Sequence, residues 1–141
     1  DAAAYSGITV NLNENGDIRK VAQALVLQPS AITANMLGAK ENPKEGKIAF
    51  AAVESNQSLN YNTTANGLGF WFDSMGDVIA WGSDNDSKIF SEFSVDNFEF
   101  SIGQYPGKCS SGDKFTIKEA FVYTKGGIQY TVAFVFNITI K

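Results

Sequence analysis

Gly126-Gly127 stands between two runs in which aromatic and β-branched residues alternate with smaller or polar ones, residues 115–123 and 128–140. A two-residue turn at the glycines sets Lys125 opposite Ile128. Pairing then places Phe115, Ile117, Phe121, Tyr123, Tyr130, Val132, Phe134, Phe136 and Ile138 on one face of a long hairpin. A face that apolar has to be covered by a second layer, so the chain is constrained towards a two-layered, mostly β architecture. Glu119 falls on the same face opposite Phe134, and an isolated carboxylate there is costly. The spacing favours a bulge that turns Glu119 out to solvent, with a bonded buried carboxylate as the alternative and a functional acid as the third.

Further strands are expected at residues 7–12, 47–53, 68–73, 78–82, 88–93 and 95–102, separated by Gly, Asn and Asp. Two helices precede most of them. Residues 17–28 carry apolar side chains at helical spacing, with Asp17 placed to cap and Pro29 to stop the helix. Residues 30–37 follow with Ser30 as a cap and Gly38 in place for a left-handed C-terminal cap. The expected fold is an antiparallel β-sandwich of jelly-roll type with two short N-terminal helices packed at one end. Residues 1–6 form a terminal lead and residues 7–141 one domain. A chain of 141 residues fits one core, since burial reaches roughly 70% of the chain's surface near this length.

The residue inventory narrows the chemistry. There is no histidine and one cysteine, so Ser-His and Cys-His nucleophiles, an internal disulfide and nearly all zinc sites are excluded. Cys109, in a Gly/Ser loop, is expected to be a solvent-facing thiol. Arg19 is the one arginine and the net charge is −4, which leaves no basic stripe for nucleic acid. No run of about 20 apolar residues is present to span a membrane. The start at Asp1, in a small-residue lead, is that of a mature or engineered terminus with its signal removed, so a secreted or cell-surface location is expected, periplasmic or as an outer-membrane lipoprotein.

Residues 47–107 hold eight acids against Lys47 and Lys88. Ordinary surface charge accounts for this, and an acidic rim beside a binding face is the functional alternative. Within the stretch, a hairpin with Met75-Gly76 at its tip sets Phe72 opposite Ile79 and Phe70 opposite Trp81. Trp81 is then core, while Trp71 beside Ala80 points the other way, as an exposed platform or as packing against a helix or loop. A one-residue change in the turn swaps the two. Sugar recognition needs a flat π-face and nearby groups that bond to hydroxyls. Trp71 and Tyr61 as stacking rings, with Asn60, Asp73, Asp84 and Gln104 as hydroxyl partners, make the candidate ligand-binding set. No cofactor is required. The oxygen-rich loop at residues 83–87 allows calcium, although it lacks the 12-residue loop with its terminal glutamate. The sequons at Asn56, Asn62, Asn85 and Asn137 are taken as chance.

The segments GFWFDSMGDVIAWG, IFSEF and FSIGQYPGKCSSGDKFTIKEAF, after VAQALVLQPSAITANML, resemble a domain of unknown function found in secreted gut-bacterial surface proteins associated with glycan-handling systems. The resemblance runs over nearly the whole chain from Gly7 and implies export; it transfers no catalytic residue. The expected function is a non-catalytic carbohydrate-binding accessory module that takes a glycan or polysaccharide. A protein-protein interaction or spacer domain of a cell-surface assembly is the rival. A carboxylate-based glycoside hydrolase, which needs two facing acids about 5 to 9 Å apart, ranks third.

Overall fold

The computed structural model describes Tyr5, residues 7–37 and residues 43–141. The expected Gly38 cap and most of the lead lie outside the described residues. Among the described residues, nine strands form two antiparallel sheets: β1 (Gly7–Asn11), β2 (Ile48–Val53), β3 (Leu59–Asn60), β4 (Leu68–Phe72), β5 (Val78–Ile79), β6 (Ile89–Ser94), β7 (Glu99–Gln104), β8 (Lys114–Lys125) and β9 (Ile128–Thr139). One sheet runs β1-β7-β6-β4-β5 and the other β3-β2-β8-β9. The glycine turn behaves as its chemistry requires: Gly126 and Gly127 have φ of 59° and 77°, the pair of positive values that only such residues take without strain. Lys125 pairs with Ile128, and the register continues unbroken to Lys114 and Thr139.

That hairpin presents its apolar face to the inner face of the five-stranded sheet, in a sandwich-like arrangement. Phe50 of β2 is fully buried at the centre, with its ring 5.5 Å from Phe93 and from Phe121, 5.9 Å from Phe70 and 6.0 Å from Phe100. α1 (Asp17–Leu25) adds Val21, Ala22 and Leu25 to the same core.

Helical content is smaller than the sequence pattern suggests. α1 ends at Leu25, because Val26 turns left-handed at φ 57° and its N–H donates to the carbonyls of Ala22 and Gln23. Gly16 stands before the helix, and no side-chain bond caps it. Residues 30–37 form no second helix. They give a 3-10 turn at Pro29–Ala31 and then a turn in which Met36 and Leu37 donate to the Thr33 carbonyl. Ile32 and Leu37 are both buried, and β-branched Ile32 and Thr33 favour the extended path that delivers them there.

The expected bulge at Glu119 is absent. Glu119 pairs with Ala52 on one side and Phe134 on the other in continuous register and is fully buried. Its Oε2 accepts a hydrogen bond of 2.6 Å from the Ser91 hydroxyl of β6, so one polar bond crosses between the sheets. Burial pushes the Glu119 carboxyl up to about 8, with the Ser91 bond pulling the other way. The chain keeps this group in register by holding it as a neutral acid near pH 7 rather than by expelling it.

Candidate functional site

The turn between β4 and β5 sets the register in which the chain leads on to Trp81. Asp73 N–H donates to the Asp77 carbonyl, Gly76 N–H donates to the Asp73 carbonyl, and Gly76 has φ 79°. This is a three-residue loop built on a type I turn followed by a left-handed glycine. The Asp73 carboxylate fixes it by accepting from the N–H groups of Met75 and Asp77, each at 2.9 Å. The loop is odd-numbered where a two-residue tip is even, so Trp71 pairs with Ile79 and Phe72 with Val78.

The exposures are the reverse of those expected, Trp81 through the one-residue shift and Trp71 through rings that cover it. Trp81 is 57% exposed rather than core, and Trp71 is 6% exposed rather than a free platform. Trp71 does point away from Phe70 and Phe72, which are core, but other rings cover it. Phe90, its partner across the strand, lies 5.2 Å away, Tyr105 5.5 Å and Tyr5 6.3 Å. Trp81 stacks on Tyr105 at 6.1 Å with 27° between planes, and the Lys108 ammonium sits 5.1 Å from the centre of the Tyr105 ring. Two glycines make the room. A Cβ at Gly103 would meet the Phe90 ring and the Tyr5 carbonyl, both at 2.5 Å, and one at Gly69 would meet the Asn66 carbonyl at 2.7 Å and the Glu92 side chain at 2.9 Å.

The result is a groove of about 570 Å³ on the outer face of the five-stranded sheet, lined by Tyr5, Thr64, Ala65, Asn66, Trp71, Trp81, Phe90 and Glu92. The strip from Thr64 to Asn66 is tied down along β4: Thr64 Oγ1 accepts from Trp71 N–H at 2.8 Å, and Glu92 Oε2 accepts from Asn66 N–H at 3.0 Å. The Asn66 carboxamide makes no hydrogen bond to another described residue. Rings, one carboxamide and one carboxylate therefore share a wall.

Of the expected ligand-binding residues, only Trp71 reaches this groove. Asn60 is spent within the β2-β3 region, donating to Glu54 and accepting from Asn62 N–H. Tyr61 follows β3 and is half-buried, its hydroxyl raised by that burial. Asp73 holds the turn described above. Asp84 is exposed in the loop after Trp81, and Gln104, on the inward side of β7, lines a separate groove with Ile102 and Ile138. The acids near β5 serve as ties: Asp77 accepts from Ser55 N–H and Oγ, and Glu54 accepts from Val78 N–H.

In the loop considered for calcium, Asp86 accepts from Ser74 N–H and Oγ and pairs with Lys88 at 3.5 Å, while Asn85 donates to the Ala80 carbonyl. The Ser74 bonds hold the Asp86 carboxyl below its ordinary value. Among the described residues no group of three or more His, Cys, Asp or Glu side chains is placed to hold a metal. No helix among them is long and apolar enough to cross a membrane.

Cys109 is buried, not solvent-facing, with its Sγ 3.6 Å from the Lys88 carbonyl. Burial pushes the thiol up, and the reactive species is the thiolate. Ellman's reagent is therefore expected to titrate Cys109 at least about tenfold more slowly in the native protein than in denaturant; equal rates would place the thiol outside.

Sequence reasoning missed Trp81, Tyr5, Phe90 and Glu92 as neighbours of Trp71. The signal was present for the first: Asp-Ser-Met-Gly-Asp suits a three-residue loop with glycine left-handed, and that register no longer sets Trp81 opposite Phe70.

No curated protein and no solved structure matches the chain. The family model of the domain of unknown function DUF4859 matches residues 4–128, most of the chain, and the protein belongs to that family.

Proposed function

We propose that this chain is a non-catalytic carbohydrate-binding module of an exported protein, and that the sugar ring stacks on Trp81. The observation that carries the proposal is an indole 57% exposed beside a groove and braced from behind by Tyr105. An unsupported surface tryptophan loses rotamer freedom when a ligand docks; one already stacked has less to lose. The groove supplies the remaining requirements of sugar recognition, namely more rings, a carboxamide and a carboxylate. Glu92 is the one acid among its described lining residues, which supports binding over two-carboxylate hydrolysis. Export to the cell surface is part of the same proposal.

Trp81→Ala is expected to weaken binding to a retained polysaccharide about 30-fold, the loss of about 2 kcal/mol typical of a central aromatic anchor. Because Trp81 is exposed, its unfolding free energy should shift by no more than about 1 kcal/mol. Trp71→Ala should do the reverse and destabilise the fold by about 3 to 5 kcal/mol. Affinity electrophoresis on a polysaccharide panel, with chemical unfolding run in parallel, measures both. Full retention of binding in Trp81→Ala would end the proposal.

A protein partner is the second reading, and a separate apolar groove favours it. Ile8, Ile89, Ile102, Ile138 and Ile140 line about 420 Å³ between β1 and β9, with Ile8 64% exposed.

A further inference from the structure

The groove beside Trp81 has a charge as well as a shape. Glu92 stands on the outer face of β6, between Gly69 of β4 and Ser101 of β7. Its Oε2 is fixed by Asn66 N–H, and its side chain lies so close over Gly69 that a Cβ there would overlap it. The carboxylate therefore has a set position on the wall instead of a free swing into solvent. Oε1 accepts from no described residue.

No lysine or arginine is among the described lining residues. The two cations nearest in sequence are already engaged. Lys88 donates to the Lys108 carbonyl and pairs with Asp86, and Lys108 donates to the Gly82 carbonyl and lies over the Tyr105 ring. The ring faces add to the same sign, because the aromatic π-face carries partial negative charge and attracts C–H and cationic groups. Asp84, exposed in the loop that follows Trp81, extends that sign beyond the rim.

Resting on the sugar-binding proposal above, we infer that the groove selects by charge: it takes neutral or amino-bearing sugars and turns away those carrying carboxylate or sulfate, with Glu92 as the specificity-determining residue. A carboxylate on the sugar would meet a fixed carboxylate in a groove with no cation among its described lining residues, while the Lys108 ammonium is held behind it, at the Gly82 carbonyl and over the Tyr105 ring. An amino group would find a partner in Glu92 and a favourable ring face.

The test compares polysaccharides that differ only in charge. Barley β-glucan, arabinoxylan and galactomannan, the carboxymethylated form of each, and chitosan are cast into native gels, and the retardation of wild type and Glu92→Gln is measured. Wild type is expected to bind a retained neutral polymer at least about tenfold more tightly than its carboxymethylated form. In Glu92→Gln that ratio should collapse to about twofold, since glutamine keeps an acceptor for Asn66 N–H without the charge. A second measurement needs no variant: raising salt shortens the reach of the repulsion and should narrow the wild-type ratio. Equal binding of neutral and carboxymethylated forms by wild type, or a ratio that neither salt nor Glu92→Gln alters, overturns the charge selection and leaves sugar binding intact. Retardation by none of the polymers overturns both.

Discussion

Raising the pH from about 5 to about 8 is expected to cost this protein about 3 to 4 kcal/mol of unfolding free energy through Glu119 alone. Its carboxyl is pushed up to about 8 in the folded chain, against about 4.3 once unfolded. Between those values the folded state holds a proton that the unfolded state has released. Stability therefore falls as pH rises, by about 1.4 kcal/mol per pH unit. Below the lower value both states are protonated and the penalty vanishes; above the upper value it is complete. Glu119→Gln keeps the shape and can still bond to Ser91, but it carries no titrating proton. Urea unfolding of wild type and Glu119→Gln across this range should show curves that diverge as pH rises, with the variant the more stable at about pH 8. Parallel curves would show that the buried acid does not govern the pH dependence.

Phe50→Ala is the second large effect, with an expected destabilisation of about 3 to 5 kcal/mol. Phe50 is fully buried and touches rings from both sheets, Phe70, Phe93 and Phe100 on one side and Phe121 on the other. Neighbours held by strand pairing cannot move in to fill the space, so the variant keeps a cavity as well as losing burial. Against a typical total of about 5 to 15 kcal/mol, this should lower the thermal midpoint by about 10 °C or more. Calorimetry checks it, and a midpoint within about 3 °C of wild type would mean that the ring is not where the two sheets meet.

The difference between what was legible in the sequence and what was not is mostly one of parity. Residues 115–140 could be assigned to faces because two glycines leave one turn to choose, and the alternation then runs long enough to confirm itself at every second residue. Residues 68–82 offer only a short β5 and a turn that can be counted as two residues or three. The count decides the face on which the chain reaches Trp81, while Trp71 is covered by Phe90, Tyr105 and Tyr5, which come from other parts of the chain, and the candidate site depends on both. β3, two residues long, has no periodicity to detect. Glu119 and Cys109 illustrate a different limit. A polar residue on a core face, or a thiol in a Gly/Ser loop, is placed by contacts that come from far along the chain, here from Ser91 and from the Lys88 carbonyl. The second helix was lost to the core as well, because Ile32 and Leu37 are more useful buried along a bent path than aligned on a helical stripe.

The pairing of β1 with β7 also bears on how the molecule is made. Gly7 lies against Gly103 and Val10 against Phe100, so β1, made well before β7, has no partner until the polypeptide has grown past position 104. Closing so distant a contact is entropically unfavourable and slow compared with forming the adjacent β8-β9 hairpin. The nascent chain thus stays open at one margin of its larger sheet until β7 has been made, and the aromatic groove, which needs Tyr5 just ahead of β1, is completed only after that.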